Sequence, residues 1–340
     1  MRLQTPRLVA AGSLIACAAA AACSGDKEKS APPPAAPSTS PAPASPSPAA
    51  PETHPFTGGR TGLDNRVLAV KIDNTHSAHP QQGLKAADIV YVEQVEGGVT
   101  RIMAVYSSKY PARIGPVRSA RISDLHILSQ YGRPALAYSG VQSKMKPYIR
   151  RSSVQDVSPD RAGAAYYRNG GRPAPYNLFV VTRTLLARAP KAGGPKDIGF
   201  RFGPAPDGGK RISNFTARWP SGTMSFRWSG KQKRWLSFYD GRVNRAAEGG
   251  QLGGKTVVIQ YAKTTRSRFR DFLGNYTPLV HTTGTGKATV LRDGKAYAAK
   301  WSRPSDGKGT TFTTTSGEPM TFAPGQVWVV LVNAGRPRVP

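Results

Sequence analysis

Two glutamates and three of four arginines crowd together in one short stretch of a strongly basic chain. Glu93, Glu96, Arg101, Arg118 and Arg121 all fall between Asp88 and Arg121 (DIVYVEQVEGGVTRIMAVYSSKYPARIGPVRSAR), and Asp124 follows just beyond. Glycoside cleavage requires two carboxylates flanking a sugar bond, so Glu93, Glu96 and Asp124 are the candidate catalytic groups of a wall hydrolase or lyase. Positions three apart on a strand face opposite sides, so Glu93 and Glu96 share a pocket only if the strand bends at the Gly-Gly turn. Glu93 also has apolar neighbours. Burial raises its pKa unless an arginine compensates, and a structural ion pair with Arg101 or Arg118 is the competing reading. Arg118-Ser119-Ala120-Arg121 offers a different chemistry. At a helix start, free backbone N–H groups and two guanidiniums can grip a carboxylate or phosphate. The alternative is that Arg118 pairs internally with Glu93, Glu96 or Asp124. Asp73-Asn74, at a strand end, is a second polar candidate or a plain Asx turn. The ligand-binding candidates are therefore Arg101, Arg118, Ser119, Arg121, Asp73 and Asn74.

Other patterns carry less chemistry. His76 and His79, with Asp73 before them, have loose metal-ligand spacing on a polar loop without further His or Cys, which reads as a solvated turn. Gly249 to Thr256 (GGQLGGKT) satisfies the phosphate-loop pattern, but that chemistry needs a helix after the loop, and TVVIQY is a strand sequence. No GxSxG elbow is present. The two cysteines, Cys17 and Cys23, both lie near the N-terminus. The folded body thus has no thiol nucleophile, disulfide or cysteine-ligated zinc, and neither a metal nor a cofactor is expected.

The elements that must position these residues follow from periodicity and turn chemistry. RVLAVKI is a strand ending at Asp73-Asn74. Lys85 or Ala86 to Val95 and Thr100 to Ser107 are the arms of an antiparallel hairpin closed by Gly97-Gly98, placing Val95 opposite Thr100 and Glu93 opposite Ile102. Ser119 is the expected N-cap of a helix over Ala120–Tyr131, with Ile122, Leu125 and Leu128 at helical spacing and Gly132 as its stop. Pro134–Tyr138 reads as a strand, Lys144–Arg151 as a short helix interrupted by Pro147, Ala162–Pro175 as a loop and Thr182–Ala189 as a short helix. Alternating strands and helices predict an α/β or α+β domain over 56–200. The Gly/Pro-rich run Lys191–Gly209 reads as a boundary. From 212 to 335 nearly every segment is a strand (FTARW, MSFRW, RWLSFYD, TVVIQYA, TPLVHTT, KATVLRD, KAYAAKW, TTFTTT, MTFA, VWVVLVN), predicting a mostly antiparallel β domain, a sandwich or partly open barrel.

The N-terminus sets the compartment. MRLQTPR is a positive n-region, and Leu8–Ala22 is an apolar stretch too short for a stable membrane span. Residues 1–22 are read as a lipoprotein signal peptide and Cys23 as the acylated cysteine. Cys17 fits the lipobox at its first position but leaves a run of alanines after the cut. Residues 23–55 form a Pro/Ala/Ser-rich tether of extended, unpacked chain, with reach of roughly 3 Å per residue. Such a protein is lipid-anchored at the outer face of the bacterial cytoplasmic membrane. The 340 residues hold 48 Lys and Arg against 19 Asp and Glu, a formal charge of +29. A surface of that charge seeks polyanions. Outside the cytoplasm these are an anionic wall polymer, peptidoglycan or the membrane surface rather than nucleic acid, and an envelope protein is a further possible partner.

Several long strings (AVKIDN, QQGLKAADIVYVEQVEGGVTRIMAVY, IGPVRSAR, APYNLF, GTGKATVLRDGKAYAAKWSRPS and GEPMTFAPGQVWVVLV) together resemble the YerB-like bacterial lipoproteins over roughly Thr57 to Val332. The resemblance implies a lipoprotein with a two-domain body of unknown function, and it supplies no catalytic residues. Where that family often carries His before Asn-Leu, this chain has Tyr176. The leading expectation is a non-catalytic binder of an anionic envelope component or of a partner protein. Its rivals are a wall-cleaving enzyme using Glu93 and Glu96, and a purely structural scaffold.

Overall fold

The structure, a computed structural model, describes residues 53–335. The expected signal peptide, the cysteine expected to be acylated and all of the expected tether but Thr53, His54 and Pro55 lie outside the described residues. His54 is already fully buried, its ring edge-on to Phe56 at 5.1 Å.

The architecture is mixed, with helices and strands in the first region and mostly antiparallel strands in the second. The central feature is an eleven-stranded sheet to which both regions contribute. Its first members are β1 (Leu68–Asp73), β2 (Ile89–Gln94) and β3 (Thr100–Tyr106), with β3 lying antiparallel between the other two. Beyond β2 comes the late strand Val327–Asn333, parallel to β2 on one side and to Thr256–Ala262 on the other. The strands Gly284–Arg292, Lys295–Arg303 and Thr311–Thr314 extend the same sheet by antiparallel pairing. On the opposite flank, Ala135–Ala137 and Gln155–Asp156 add in parallel to β1.

The central strands are buried on both faces, which explains why LAVKID, IVYVEQ and VWVVLVN read as almost continuous apolar runs. Alternate residues serve different cores. Leu68, Val70, Ile72, Val90, Val92, Ile102, Trp328 and Val330 pack with Phe226 and Trp235 of a second sheet built from Asn214–Trp219, Gly222–Ser229 and Arg234–Tyr239. Ala69, Tyr91, Met103, Val105 and Val329 pack on the other side, with Leu125, Ile127 and Leu128 of the helix α1 (Ile122–Leu128).

The hairpin register departs from the expected one. Gly97 and Gly98, at φ +66° and +73°, belong to a longer loop closed by the Val95 N–H donating to Val99 O at 2.9 Å. A side chain at Gly98 would strike Pro220 at 2.6 Å. Because the loop spans Val95–Val99 rather than two residues, Glu93 sits opposite Arg101, and Val92 opposite Ile102. A one-residue shift exchanges the two faces of a strand, so this loop decides which side chains meet Glu93. Smaller differences have local causes. Pro147 falls in the first turn of a helix over Lys146–Arg151, where its missing N–H costs nothing. The expected loop Ala162–Pro175 contains the strand Tyr166–Arg168. MTFA contributes only an isolated bridge between Phe322 and Phe202, while Thr264–Arg270, not foreseen, is a strand.

Trp328 is fully buried on the strand that joins the two regions, 5.7 Å from the Phe226 ring. Trp328→Ala is expected to destabilise the fold by about 3–5 kcal/mol. Urea unfolding monitored by circular dichroism should show one earlier transition. Two separated transitions would mean that the regions fold independently.

Candidate functional site

Register brings the charges together. Lys71 and Asp73 on β1, Glu93 on β2 and Arg101 on β3 alternate onto the α1 side of the sheet, where Asp124 of α1 meets them. The segment 116–118 then completes the cluster. It runs along the end of β1, with the Asp73 N–H donating to Pro116 O at 3.0 Å and the Arg118 N–H to Lys71 O at 2.9 Å. The Ser139 N–H donates to Arg118 O at 2.9 Å, so the Arg118 backbone is held from both sides.

The inner layer is Lys71, Glu93 and Asp124, each with 0% side-chain exposure. The Lys71 ammonium donates to Glu93 Oε1 and, at 2.7 Å, to Asp124 Oδ1. Asp124 Oδ2 accepts the Arg121 backbone N–H at 2.6 Å, while Glu93 Oε2 has no hydrogen-bond partner. One ammonium between two carboxylates leaves a buried charge of −1 unless a proton is retained. Burial, which outweighs the Lys71 charge, and the nearby Asp124 push the Glu93 carboxyl up to about 8. Burial thus favours the protonated form of Glu93 within this cluster.

The outer layer holds the arginines. Arg101 Nη1 lies 3.3 Å from Asp73 Oδ1. Arg118 Nε lies 2.8 Å from Asp73 Oδ2, but off the line required for a hydrogen bond. Arg121 forks onto Glu96 through Nε and Nη2 at 2.7–2.8 Å and spends Nη1 on the carbonyls of Ser119 and Ala120. Glu96 also accepts the Thr277 hydroxyl, and Arg121 holds its carboxyl below the usual range despite burial. Desolvation, together with the neighbouring Arg118 and Arg121, depresses the Arg101 guanidinium. Arg118 stands apart. Its side chain is 24% exposed, its guanidinium lies 5.8 Å from the Tyr176 ring centre, and its terminal nitrogens make no hydrogen bond among the described residues.

Several expectations are corrected by this geometry. Glu93 pairs with Lys71, not with an arginine, and Arg118 pairs with Asp73 rather than with Glu93, Glu96 or Asp124. Arg121, not Ser119, occupies the N-cap position, and α1 is only seven residues long. Asp124 Oδ2 accepts the Arg121 N–H there, so a carboxylate of the chain itself already stands at the helix start. Asp73 also accepts from the Thr75 N–H at 2.8 Å as an Asx turn does, and Asn74 donates to the Thr100 hydroxyl at 2.8 Å. His76 lies 2.9 Å from Asp240, and His79 stacks on Tyr239 with burial pushing its pKa down to about 4. The GGQLGGKT run leads into the strand Thr256–Ala262. Lys71 was missed altogether. Its signal was a lone charge in the middle of LAVKID, a strand apolar on both faces, which demands a buried counter-ion.

Comparison with known proteins gives two family matches. Residues 56–195 match the family described as "Protein of unknown function (DUF3048) N-terminal domain", and residues 215–329 match its C-terminal domain. YerB of Bacillus subtilis (strain 168), named a candidate lipoprotein, is 23% identical over 290 residues, 82% of this chain and 85% of that protein. The crystal structure of Bacillus subtilis YerB superposes with a TM-score of 0.71 at 21% identity, covering 83% of this chain and 96% of that one. This is a likeness of fold.

The inner layer generates two predictions. Lys71→Met removes the one cation between two sealed carboxylates and is expected to cost about 3–5 kcal/mol in chemical unfolding. The second concerns pH. Between the ordinary glutamate range and about 8, the folded chain keeps the Glu93 proton that the unfolded chain has released. Raising pH across that window therefore favours unfolding. The urea midpoint should fall from pH 5 to pH 8, and more steeply than in Glu93→Gln. Parallel slopes for the two proteins would contradict the assignment of the proton.

Proposed function

The chain belongs to the YerB-like family, the DUF3048 proteins of unknown function, and from that premise we propose a lipid-anchored, non-catalytic envelope protein whose folded part binds an anionic wall polymer. One observation carries the reading. The acids in the cluster are consumed internally, while one arginine keeps unspent donors at the surface.

Glycan cleavage needs two carboxylates that can reach a sugar from opposite sides. Glu93 and Asp124 are sealed around Lys71, and Glu96 is held by Arg121 and Thr277. This arrangement speaks against an acid/base pair.

Charge bookkeeping points the same way. Lys71, Arg101, Arg118 and Arg121 face Asp73, Glu93, Glu96 and Asp124. With Glu93 protonated, the cluster carries one uncompensated positive charge; Arg118 and Arg121 both reach solvent, and of the two only Arg118 has terminal nitrogens free of hydrogen bonds among the described residues. A carboxylate or phosphate can dock on the terminal nitrogens of Arg118 while Asp73 keeps its Nε side and Tyr176 lies against its guanidinium. The formal charge of +29 supplies long-range attraction, and Arg118 supplies the fixed contact. The lipoprotein name of YerB and the residues around Cys23 support anchoring outside the cytoplasmic membrane.

Co-sedimentation with purified wall sacculi tests the binding. Arg118→Lys keeps the charge beside Asp73 but loses the planar fork, and it should weaken binding at least about tenfold. Lys300→Gln, an exposed change on a distant strand, should stay within about fivefold. Equal losses would reduce the site to general charge. Soluble wall fragments released by the wild type but not by Glu93→Gln would instead make the protein a hydrolase. For the anchor, incorporation of labelled palmitate should vanish in Cys23→Ser and persist in Cys17→Ser; the reverse would move it to Cys17.

A further inference from the structure

The hairpin of Thr264–Arg270 and Tyr276–Val280 ends in a turn that displays Phe272 at 95% and Leu273 at 71% exposure. The turn does not need them. Asp271 Oδ1 accepts the N–H groups of Leu273 at 2.9 Å and Asn275 at 2.8 Å, and Asp271 Oδ2 accepts the Asn275 side-chain amide at 3.0 Å. Arg270 Nη1 donates to Gly274 O at 2.9 Å, and Gly274 takes the left-handed position at φ +82°. Asp271, Gly274 and Asn275 thus build a fixed turn. Its remaining two positions carry large apolar side chains into water.

The hairpin is firmly mounted. Arg268 Nη1 donates to the Tyr148 hydroxyl at 2.9 Å, Phe269 packs edge-on to Tyr148, and the Gln142 amide donates to Arg270 O. On the other arm, the Val280 N–H donates to Ser123 Oγ of α1 at 3.0 Å. Arg266, Arg268 and Arg270 alternate onto the exposed face of their strand, and the guanidiniums of Arg266 and Arg270 lie 5.1 and 3.6 Å from the Tyr276 ring centre. The carboxylate within the hairpin, Asp271, is spent on the turn.

We infer that this hairpin docks on an anionic bilayer, with Phe272 and Leu273 entering the boundary between headgroups and acyl chains and the three arginines meeting lipid phosphates. A convex knob of two side chains presents too little flat area for a stable protein interface, where each partner covers roughly 800 Å². A bilayer deforms around such a knob and needs no matching recess. The arginine row fits the negative potential of anionic headgroups. This docking is independent of polymer binding at Arg118.

The compact unit beginning at Pro51 contains no cysteine, so it accepts one label at a chosen position. Leu273→Cys is labelled with nitrobenzoxadiazole and mixed with phosphatidylcholine vesicles, with and without phosphatidylglycerol. The expected result is a blue-shifted, brighter emission on phosphatidylglycerol vesicles, with no change for the same label on Ser316→Cys. Without the label, the double change Phe272→Ser, Leu273→Ser should lower partitioning about tenfold, and Arg266→Gln about fivefold. Both should keep the wild-type urea midpoint, since the altered side chains are exposed. Binding to vesicles without an emission shift at position 273, or with unchanged partitioning of the double variant, overturns the proposal in favour of general charge. An equal shift on pure phosphatidylcholine overturns the anionic part, and an absence of vesicle binding overturns the whole.

Discussion

A lysine ammonium fully removed from water governs the chemistry of this protein. Lys71 is tolerable in its strand only because Glu93 and Asp124 close on it, and that need fixes much else. The β2–β3 loop must place Glu93 on the same face as Lys71, and α1 must begin where Asp124 can reach inward while accepting the Arg121 backbone N–H. Two acids share one base there, and burial raises the Glu93 carboxyl. Groups with the look of a catalytic pair become a sealed structural unit, and the excess positive charge passes outward through the arginines.

Those arginines show how similar residues in one motif acquire different roles. Arg121 is saturated by Glu96 and two carbonyls, so it acts as a clamp between the hairpin loop and the start of α1. Arg101 is buried and depressed by desolvation and by its neighbours. Arg118 alone combines a backbone pinned on both sides with terminal nitrogens that make no hydrogen bond among the described residues. A preorganised guanidinium of that kind loses little freedom when it engages a planar anion.

Much of this was legible in the residues. The strands appear as apolar runs, and the crowding of Glu93, Glu96, Arg101, Arg118 and Arg121 marks the right place because charge in a buried setting must find charge. The pairing was not legible. It depends on a loop two glycines long in expectation and Val95–Val99 in fact, and one residue of register decides whether Glu93 faces Arg101 or Ile102. Lys71 hid because hydropathy reads LAVKID as an ordinary strand, and its partners come from other elements. The Phe272–Leu273 turn escaped notice for the opposite reason: sequence reading assigns apolar residues to a core, and only coordinates show two of them facing water.

The late strand Val327–Asn333 has a kinetic consequence. It fills the gap between β2 and Thr256–Ala262, both made long before it. Until it arrives, each of those strands keeps an open row of amides and carbonyls beside a run of valines and isoleucines, an invitation to self-association. Contacts of such long sequence separation form slowly. A nascent chain therefore carries the open edge of β2 through most of its synthesis, and that of Thr256–Ala262 over the stretch made before Val327. The longer that β2 edge stays uncovered, the greater the exposure to edge-to-edge pairing with a second chain.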